Sequence, residues 1–139
     1  MTPLLSLMLA VAFQAGGAPP PALKAVEKGL DSAMEDSRQV AVRTQAEWMK
    51  IWRMHSFERP VPKVDFAKEM VVGVFMGTRS SAGFSVEIVG TRVADGALTV
   101  QYRETVPQKG TMAAQILTSP YHLVSVPRVD GDVKFEVVR

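Results

Sequence analysis

The chain has 139 residues, of which 47% are hydrophobic and 22% charged, so it is long enough for one globular domain with a single core. Its formal net charge is only +2, and its basic residues are scattered singly from Lys24 to Arg139, which argues against a concentrated nucleic-acid-binding face. The absence of cysteine excludes disulfides, thiolate metal sites and a cysteine nucleophile.

The N-terminal segment predicts export. Residues 4–13 are nearly all apolar, and no charged residue precedes Lys24. This run is too short to span a bilayer, which takes about 20 residues, and it is typical of a signal peptide. We expect a signal peptide at residues 1–18, a proline-rich spacer at 19–22, and one periplasmic or secreted domain at 23–139 that has no membrane attachment after cleavage. The alternative is a buried N-terminal helix of a cytosolic protein, because the segment lacks the usual Lys or Arg.

The next segments predict a strand followed by a helix. Residues 22–29 fit either a short strand or a helix, whereas the alternation in residues 39–43 predicts a strand. Thr44 and Glu47 form a capping box, so we expect a helix over residues 44–55. Apolar positions recur at spacings of three and four, which predicts one buried face. These positions are Trp48, Ile51, Trp52 and His55.

The residues after the helix, from 69 to 138, predict a series of strands. Residues 69–76 are the most apolar and are expected at the centre of a sheet. The Asp-Gly dipeptides at 95–96 and 130–131 predict two hairpins between adjacent antiparallel strands. The predicted strands are residues 69–76, 84–93, 98–105, 113–118 continuing at 123–128, and 133–138. The fold class is therefore α+β, with five to seven mostly antiparallel strands in a barrel-like or sandwich-like sheet and one packed helix.

The sequence shows no recognisable catalytic set. The two histidines, His55 and His122, lack metal-ligand spacing, and no nucleophile elbow, phosphate-binding loop or dinucleotide motif occurs. We therefore expect no enzymatic activity, no metal and no cofactor. A hydrolase with an unrecognised site stays open as an alternative; its signature would be a histidine beside a carboxylate in a concave pocket.

Two segments are candidates for binding a partner. Residues 77–84 combine two glycines, small residues, an arginine and an aromatic side chain; they form either a plain hairpin loop with glycines at positive φ or a recognition loop on a rigid sheet. Residues 115–122 contain a proline that marks a bulge or edge, in either a kinked core strand or a binding segment. The candidate binding residues are Arg79, Ser80, Ser81, Gly83, Phe84, Pro120, Tyr121 and His122.

The chain resembles the PrcB-type family of protease complex subunits, with a PrcB C-terminal-like domain. The resemblance lies in residues 39–55, 62–66, 71–77, 79–86 and 118–122, together with Pro107 and Gln115. In the loop the family pattern reads Arg-Pro-Thr-Gly-Gly-Tyr, from which this chain departs at Ser80, Ser81, Ala82 and Phe84.

The resemblance implies an exported, non-catalytic domain whose partner is a protein, and which stabilises or assists a secreted protease. An alternative rests on the glycine loop that ends in an aromatic residue, which also resembles the loops of chagasin-like protease inhibitors. In that alternative residues 79–84 and the pair Pro120-Tyr121 would both be exposed at one end of the sheet, and burial of Tyr121 would weaken it.

Overall fold

The structure is a computed structural model that describes residues 23–139. The predicted signal peptide and spacer lie outside these residues. The described chain contains β1 (Lys24–Gly29), β2 (Arg38–Val42), α1 (Gln45–His55), β3 (Glu69–Phe75), β4 (Ser85–Ala94), β5 (Ala97–Thr105), β6 (Tyr121–Pro127) and β7 (Val133–Val137).

The strands form two sheets, in the orders β1-β6-β3-β2 and β4-β5-β7. The α+β prediction is confirmed, and the segment at 22–29 that was ambiguous is a strand. Within residues 23–139 the sheets do not close into a barrel. The same residues include no helix with the length and hydropathy needed to cross a bilayer.

Both faces of the four-stranded sheet are buried, which explains the sequences of its central strands. One face packs on the three-stranded sheet through Met70, Val72 and Val124, and the other packs on α1 through Val71 and Leu123. Strands covered on both sides need apolar residues at successive positions. β3 and β6 meet this need, because six successive residues are buried in each of them.

The N terminus of α1 is capped as the sequence predicts. The Glu47 N–H donates to Thr44 Oγ1 at 3.2 Å. The Glu47 carboxylate in turn accepts from the Arg43 N–H at 3.2 Å, one residue before the cap. Because these bonds satisfy N–H groups at the helix start, they fix where α1 begins.

Trp48, Trp52 and His55 on the tryptophan face of α1 are buried as predicted, whereas Ile51 is only partly buried. The Trp48 and Trp52 indole N–H groups donate to the carbonyls of Pro62 and Arg59, at 2.9 and 2.8 Å. The connection after α1 therefore folds back over the indole rings and supplies the partners that buried tryptophans require.

One of the two predicted hairpins forms and the other does not. β4 and β5 are joined at Asp95 and Gly96, whose φ values of +53° and +77° suit a tight hairpin turn. The prediction for residues 130–131 is wrong, because β6 is already flanked by β1 and β3 and has no free edge. β7 instead crosses to the other sheet and pairs in parallel with β5.

The strand predicted at residues 113–118 is also wrong. In this segment only Thr118 makes a bridge, to Arg79, and residues 111–117 are neither helix nor strand. The Ile116 N–H bonds to the Ala114 carbonyl at 3.0 Å, which turns the chain tightly. This turn leaves residues 114–117 exposed at the end of the sandwich.

Candidate functional site

The loop of residues 77–84 depends on two glycines in the left-handed region. Gly77 has φ +80°, and a Cβ there would lie 2.8 Å from the Glu35 carbonyl oxygen and from the Ser37 nitrogen. Gly83 has φ +99°, and a Cβ there would lie 2.9 Å from Pro107 Cγ. Any other residue would be strained at these positions, so the glycines fix the path of the loop.

The loop is held to residues 114–118 by a short ladder. Arg79 and Thr118 exchange backbone hydrogen bonds of 2.7 and 2.9 Å, and the Ala82 N–H donates to the Ala114 carbonyl at 2.9 Å. The Thr118 hydroxyl donates to the Ser81 carbonyl at 2.9 Å. These bonds tie together the two segments that the sequence singles out separately.

The side chains of this loop differ in their availability. Ser80 and Gly83 are exposed, whereas Arg79, Ser81 and Phe84 are half-buried. The Arg79 guanidinium lies 5.4 Å from the Phe84 ring centre, a cation–π distance. Its Nε is buried and makes no hydrogen bond within the described part of the chain.

Large apolar side chains are exposed next to this loop. Met112, Leu117 and Ile116 are 101%, 77% and 56% exposed, and Leu30 is 48% exposed. Leu30 and Leu117 line a groove of about 220 Å³, together with Thr78. We call residues 78–84 and 112–118, together with Leu30, the loop-end surface. Grouped exposed apolar side chains are typical of interaction sites.

The other predicted binding residues lie inside the sandwich. Pro120 is buried, and its carbonyl accepts the Met76 N–H at 2.9 Å. His122 is 7% exposed, and its Nδ1 accepts the Ile88 N–H at 2.8 Å. That bond ties β6 to β4 at the β-bulge that follows Ile88. Burial, with the charge of Lys28 nearby, lowers the pKa of His122, which favours the neutral ring that this bond requires.

Tyr121 points to the opposite face and is 2% exposed. Its hydroxyl donates to Glu27 Oε1 at 2.7 Å, and its ring lies 4.3 Å from that of His55. The Tyr121 side chain is therefore unavailable to a partner in this structure. This burial counts against Pro120-Tyr121 as the proline-aromatic loop of a chagasin-like inhibitor.

A polar cluster that the sequence analysis missed lies between β1 and α1. Glu27 Oε1 is 2.8 Å from His55 Nε2 and 2.9 Å from an Arg59 nitrogen, in addition to its bond from Tyr121. His55 Nδ1 is 2.8 Å from Ser32 Oγ. We call these five residues the Glu27 cluster. The sequence does not reveal this cluster because β1 contains a β-bulge between Ala25 and Glu27. The bulge shifts the in–out alternation of side chains along the strand and turns Glu27 toward the helix.

The order Ser32–His55–Glu27 resembles a nucleophile, base and acid, but its surroundings do not suit hydrolysis. Ser32 and His55 are 8% and 1% exposed, and Ser32 Oγ already accepts the Met34 N–H at 3.0 Å. The Ser32 and Ala33 N–H groups donate to the carbonyls of Ser119 and His55, so neither is free to stabilise an oxyanion. Through these bonds the cluster links β1, β6 and α1. His55 also lines a groove of about 200 Å³ beside Asp31 and Glu58, so the pocket that the hydrolase alternative calls for is present, whereas Ser32 is not a free nucleophile.

The charge states in the Glu27 cluster follow from burial and hydrogen bonding. Burial lowers the pKa of His55, and the hydrogen bond to Glu27 only partly opposes this. For Glu27, burial raises the pKa, but bonds from His55, Tyr121 and Arg59 outweigh it and lower the pKa overall. A neutral imidazole that donates from Nε2 and accepts at Nδ1, beside an ionised Glu27, satisfies every distance above. Within residues 23–139 no group of three or more His, Cys, Asp or Glu residues could hold a metal ion.

The comparisons with known proteins bear on the segment that carries the loop. Residues 70–127 match the model of the PrcB C-terminal family, and this range includes the loop and the residues paired with it. The family is one of accessory rather than catalytic subunits. No curated protein and no solved structure matches the chain. Over residues 70–127 the family match confirms the resemblance stated from the sequence, so this segment is PrcB-like. Residues 39–55 and 62–66, which also carry the resemblance, lie outside the match.

Proposed function

We propose that this chain is an exported, non-catalytic domain that binds another protein through the loop-end surface and stabilises or assists a secreted protease. The PrcB-like match supports a role in association with a protease complex. The observation that carries the proposal is the exposed apolar set at residues 112–117 beside the loop.

The composition of the loop-end surface suits a protein partner. Its centre offers the exposed apolar side chains of Leu30, Ile116 and Leu117. Burial of these side chains under another surface would be favourable, because it removes apolar area from water. Its margin carries the exposed carboxylate of Asp31, which lines the same groove as Leu30 and Leu117. An apolar centre with a polar rim is the usual arrangement of protein–protein interfaces.

The hydrogen bonding of the loop also supports binding of a protein partner. The ladder between Arg79 and Thr118, with the bond from Ala82 to Ala114, holds the loop in one conformation. A surface that is already ordered loses little conformational entropy on binding. The free energy gained by burying the apolar centre is then not offset by the cost of ordering the loop.

The proposal is tested by affinity capture. The full chain, tagged after Arg139, is used to recover proteins from the extracytoplasmic fraction of the native host. We expect a protease to be recovered by the wild type and lost with Leu117→Asp. Val93→Asp is the matched control, because Val93 is 44% exposed near the β4–β5 turn at the far end of β4. Recovery of no protein, or equal recovery by both variants, would contradict the proposal.

Export needs its own test because it rests on the N-terminal sequence. Mass spectrometry of the protein isolated from its host should find a mature N terminus close to residue 19 in the extracytoplasmic fraction. An intact N terminus in the cytosolic fraction would contradict export, whereas the fold would be unaffected.

A further inference from the structure

The strand β2 offers a second binding surface that is separate from the loop-end surface. Among residues 23–139 it is the terminal strand of the four-stranded sheet and pairs only with β3, over Arg38–Val42. Across the described residues, no backbone hydrogen bond outside this pairing involves positions 38–42. One side of β2 therefore presents unpaired donors and acceptors, which a further strand can use.

The other antiparallel edges carry β-bulges, whereas β2 does not. β1 has a bulge between Ala25 and Glu27, and β4 has one between Ile88 and Gly90. Bulges twist an edge away from a regular partner. The β2–β3 register runs without interruption, so β2 keeps the regular geometry that strand addition requires.

A groove runs between β2 and α1. It measures about 290 Å³, and its apolar lining includes Val40, Val42, Ile51 and Met54. Arg38 Nη1 lies 3.9 Å from the Met54 sulfur. Methionine adapts to partners of different shape. A strand added beside β2 would project alternate side chains toward this groove, because strand side chains alternate between faces.

The rim of the groove is basic. Arg38 and Lys50 line it, and Lys50 also lines a neighbouring depression of about 500 Å³ together with Arg53. The acidic residue lining either one is Glu47, whose carboxylate is bonded to the Arg43 N–H and the Thr44 hydroxyl. Three cations against this one carboxylate leave the rim with an excess of positive charge, which favours an acidic occupant.

We propose that the β2 edge binds an extended segment of a partner protein as an added strand, with an apolar side chain in the groove and acidic side chains at the basic rim. The backbone of residues 38–42 supplies the main-chain hydrogen bonds. Val40 and Met54 hold the apolar side chain, while Arg38, Lys50 and Arg53 pair with the carboxylates. This surface does not depend on the proposed function of the loop-end surface.

The test uses a synthetic peptide of sequence Thr-Glu-Thr-Val-Thr-Glu-Thr, blocked at both ends, with the full chain. Calorimetry measures affinity, and hydrogen exchange measures protection of those backbone amides of residues 38–42 that do not pair with β3. We expect binding with protection of those amides, at least tenfold weaker binding when lysine replaces both glutamates, and no binding when alternate peptide nitrogens are methylated on the pairing edge.

Two variants separate specific binding from general charge attraction. Lys50→Glu with Arg53→Glu should weaken the binding of the acidic peptide at least tenfold. Lys109→Glu with Lys134→Glu is the matched control, since it changes the charge equally at exposed positions outside the groove and should bind as the wild type does. Leu117→Asp should also bind the peptide normally, which keeps this test distinct from that of the loop-end surface.

Several results would overturn the proposal. Equal binding of the glutamate and lysine peptides would contradict the preference for an acidic segment. Unchanged binding of the methylated peptide would contradict strand pairing. Protection of the outward-facing amides of residues 38–42 in the absence of peptide, together with a dimeric mass in sedimentation, would make a second copy of this chain the occupant.

Discussion

The two faces of the four-stranded sheet are equally buried but are stabilised in different ways. The face toward β4, β5 and β7 is filled mainly by aliphatic and methionine side chains together with Tyr102, and His122 is bonded to the backbone of Ile88. The face toward α1 packs aromatic rings around Glu27 and His55. The first face depends chiefly on filled volume, and the second depends also on every polar partner being present.

The largest effect is expected on the helix face, from Trp52→Ala. This change removes an indole whose ring lies 5.5 Å from that of Trp48 and 4.9 Å from that of His55, and it leaves the Arg59 carbonyl without its partner. We expect a loss of about 4 kcal/mol in the free energy of unfolding, measured by urea denaturation. A loss below about 2 kcal/mol would mean that α1 packs less tightly than described.

The next effect is on the opposite face, from Leu98→Ala. Leu98 is fully buried between the sheets, so its truncation should lower the free energy of unfolding by about 3 kcal/mol. Leu98→Met keeps the volume and should cost less than about 1.5 kcal/mol. If the two substitutions cost the same in urea denaturation, filled volume would not be what stabilises this face.

A smaller effect is expected from Glu27→Gln, which nearly keeps the shape of the side chain. The change removes the charge that accepts from Tyr121, His55 and Arg59, so the free energy of unfolding should fall by about 2 kcal/mol. Glu87→Gln, at an exposed glutamate of β4, is the control and should change it by less than about 0.5 kcal/mol. Equal values for the two variants would contradict a structural role for the cluster.

Both histidines predict a dependence of stability on pH. The pKa values of His55 and His122 are lowered from 6.5, so the unfolded chain binds more protons than the folded chain as pH falls below that value. The free energy of unfolding should therefore decrease from pH 7 toward pH 5. The lowered pKa of Glu27 adds to the loss at still lower pH.

The pH dependence can be assigned to one face by substitution. His122→Leu removes the contribution of the inter-sheet face, so the slope of unfolding free energy between pH 7 and pH 5 should become shallower in urea denaturation. If the free energy of unfolding of the wild-type chain stayed constant or increased as the pH is lowered from 7 to 5, the neutral state of both rings would be contradicted.

The smallest effect is expected at the ion pair between Lys28 and Glu87, which links β1 to β4 at 3.3 Å with both side chains about half exposed. Lys28→Ala should change the free energy of unfolding by no more than about 0.5 kcal/mol. The difference should vanish in high salt. A larger effect that resists salt would show that this edge contributes more than its exposure indicates.

The features predicted correctly from the sequence are those with local signals. The capping box at Thr44, the buried face of α1 and the Asp95 turn each depend on residues a few positions apart. Apolar runs also identify β3 and β6 as buried strands. For these elements propensity, periodicity and packing agree.

The features predicted wrongly depend on distant pairing. The chain at residues 130–131 does not form a hairpin because β6 is occupied on both sides by β1 and β3, which no local pattern records. The position of Glu27 depends on a bulge. Tyr121 and His122 lie in a strand buried on both faces, so their polar groups bond inside the protein, whereas the sequence also allowed an exposed role.

The central claim, that the loop-end surface contacts a protease, is tested most directly by photocrosslinking in the native host. A photoreactive amino acid is placed at residue 117 and, as the control, at residue 93. We predict a crosslink from residue 117 to a secreted protease, and none from residue 93. A crosslink to the same protein from both positions, or no crosslink from residue 117, would contradict the claim.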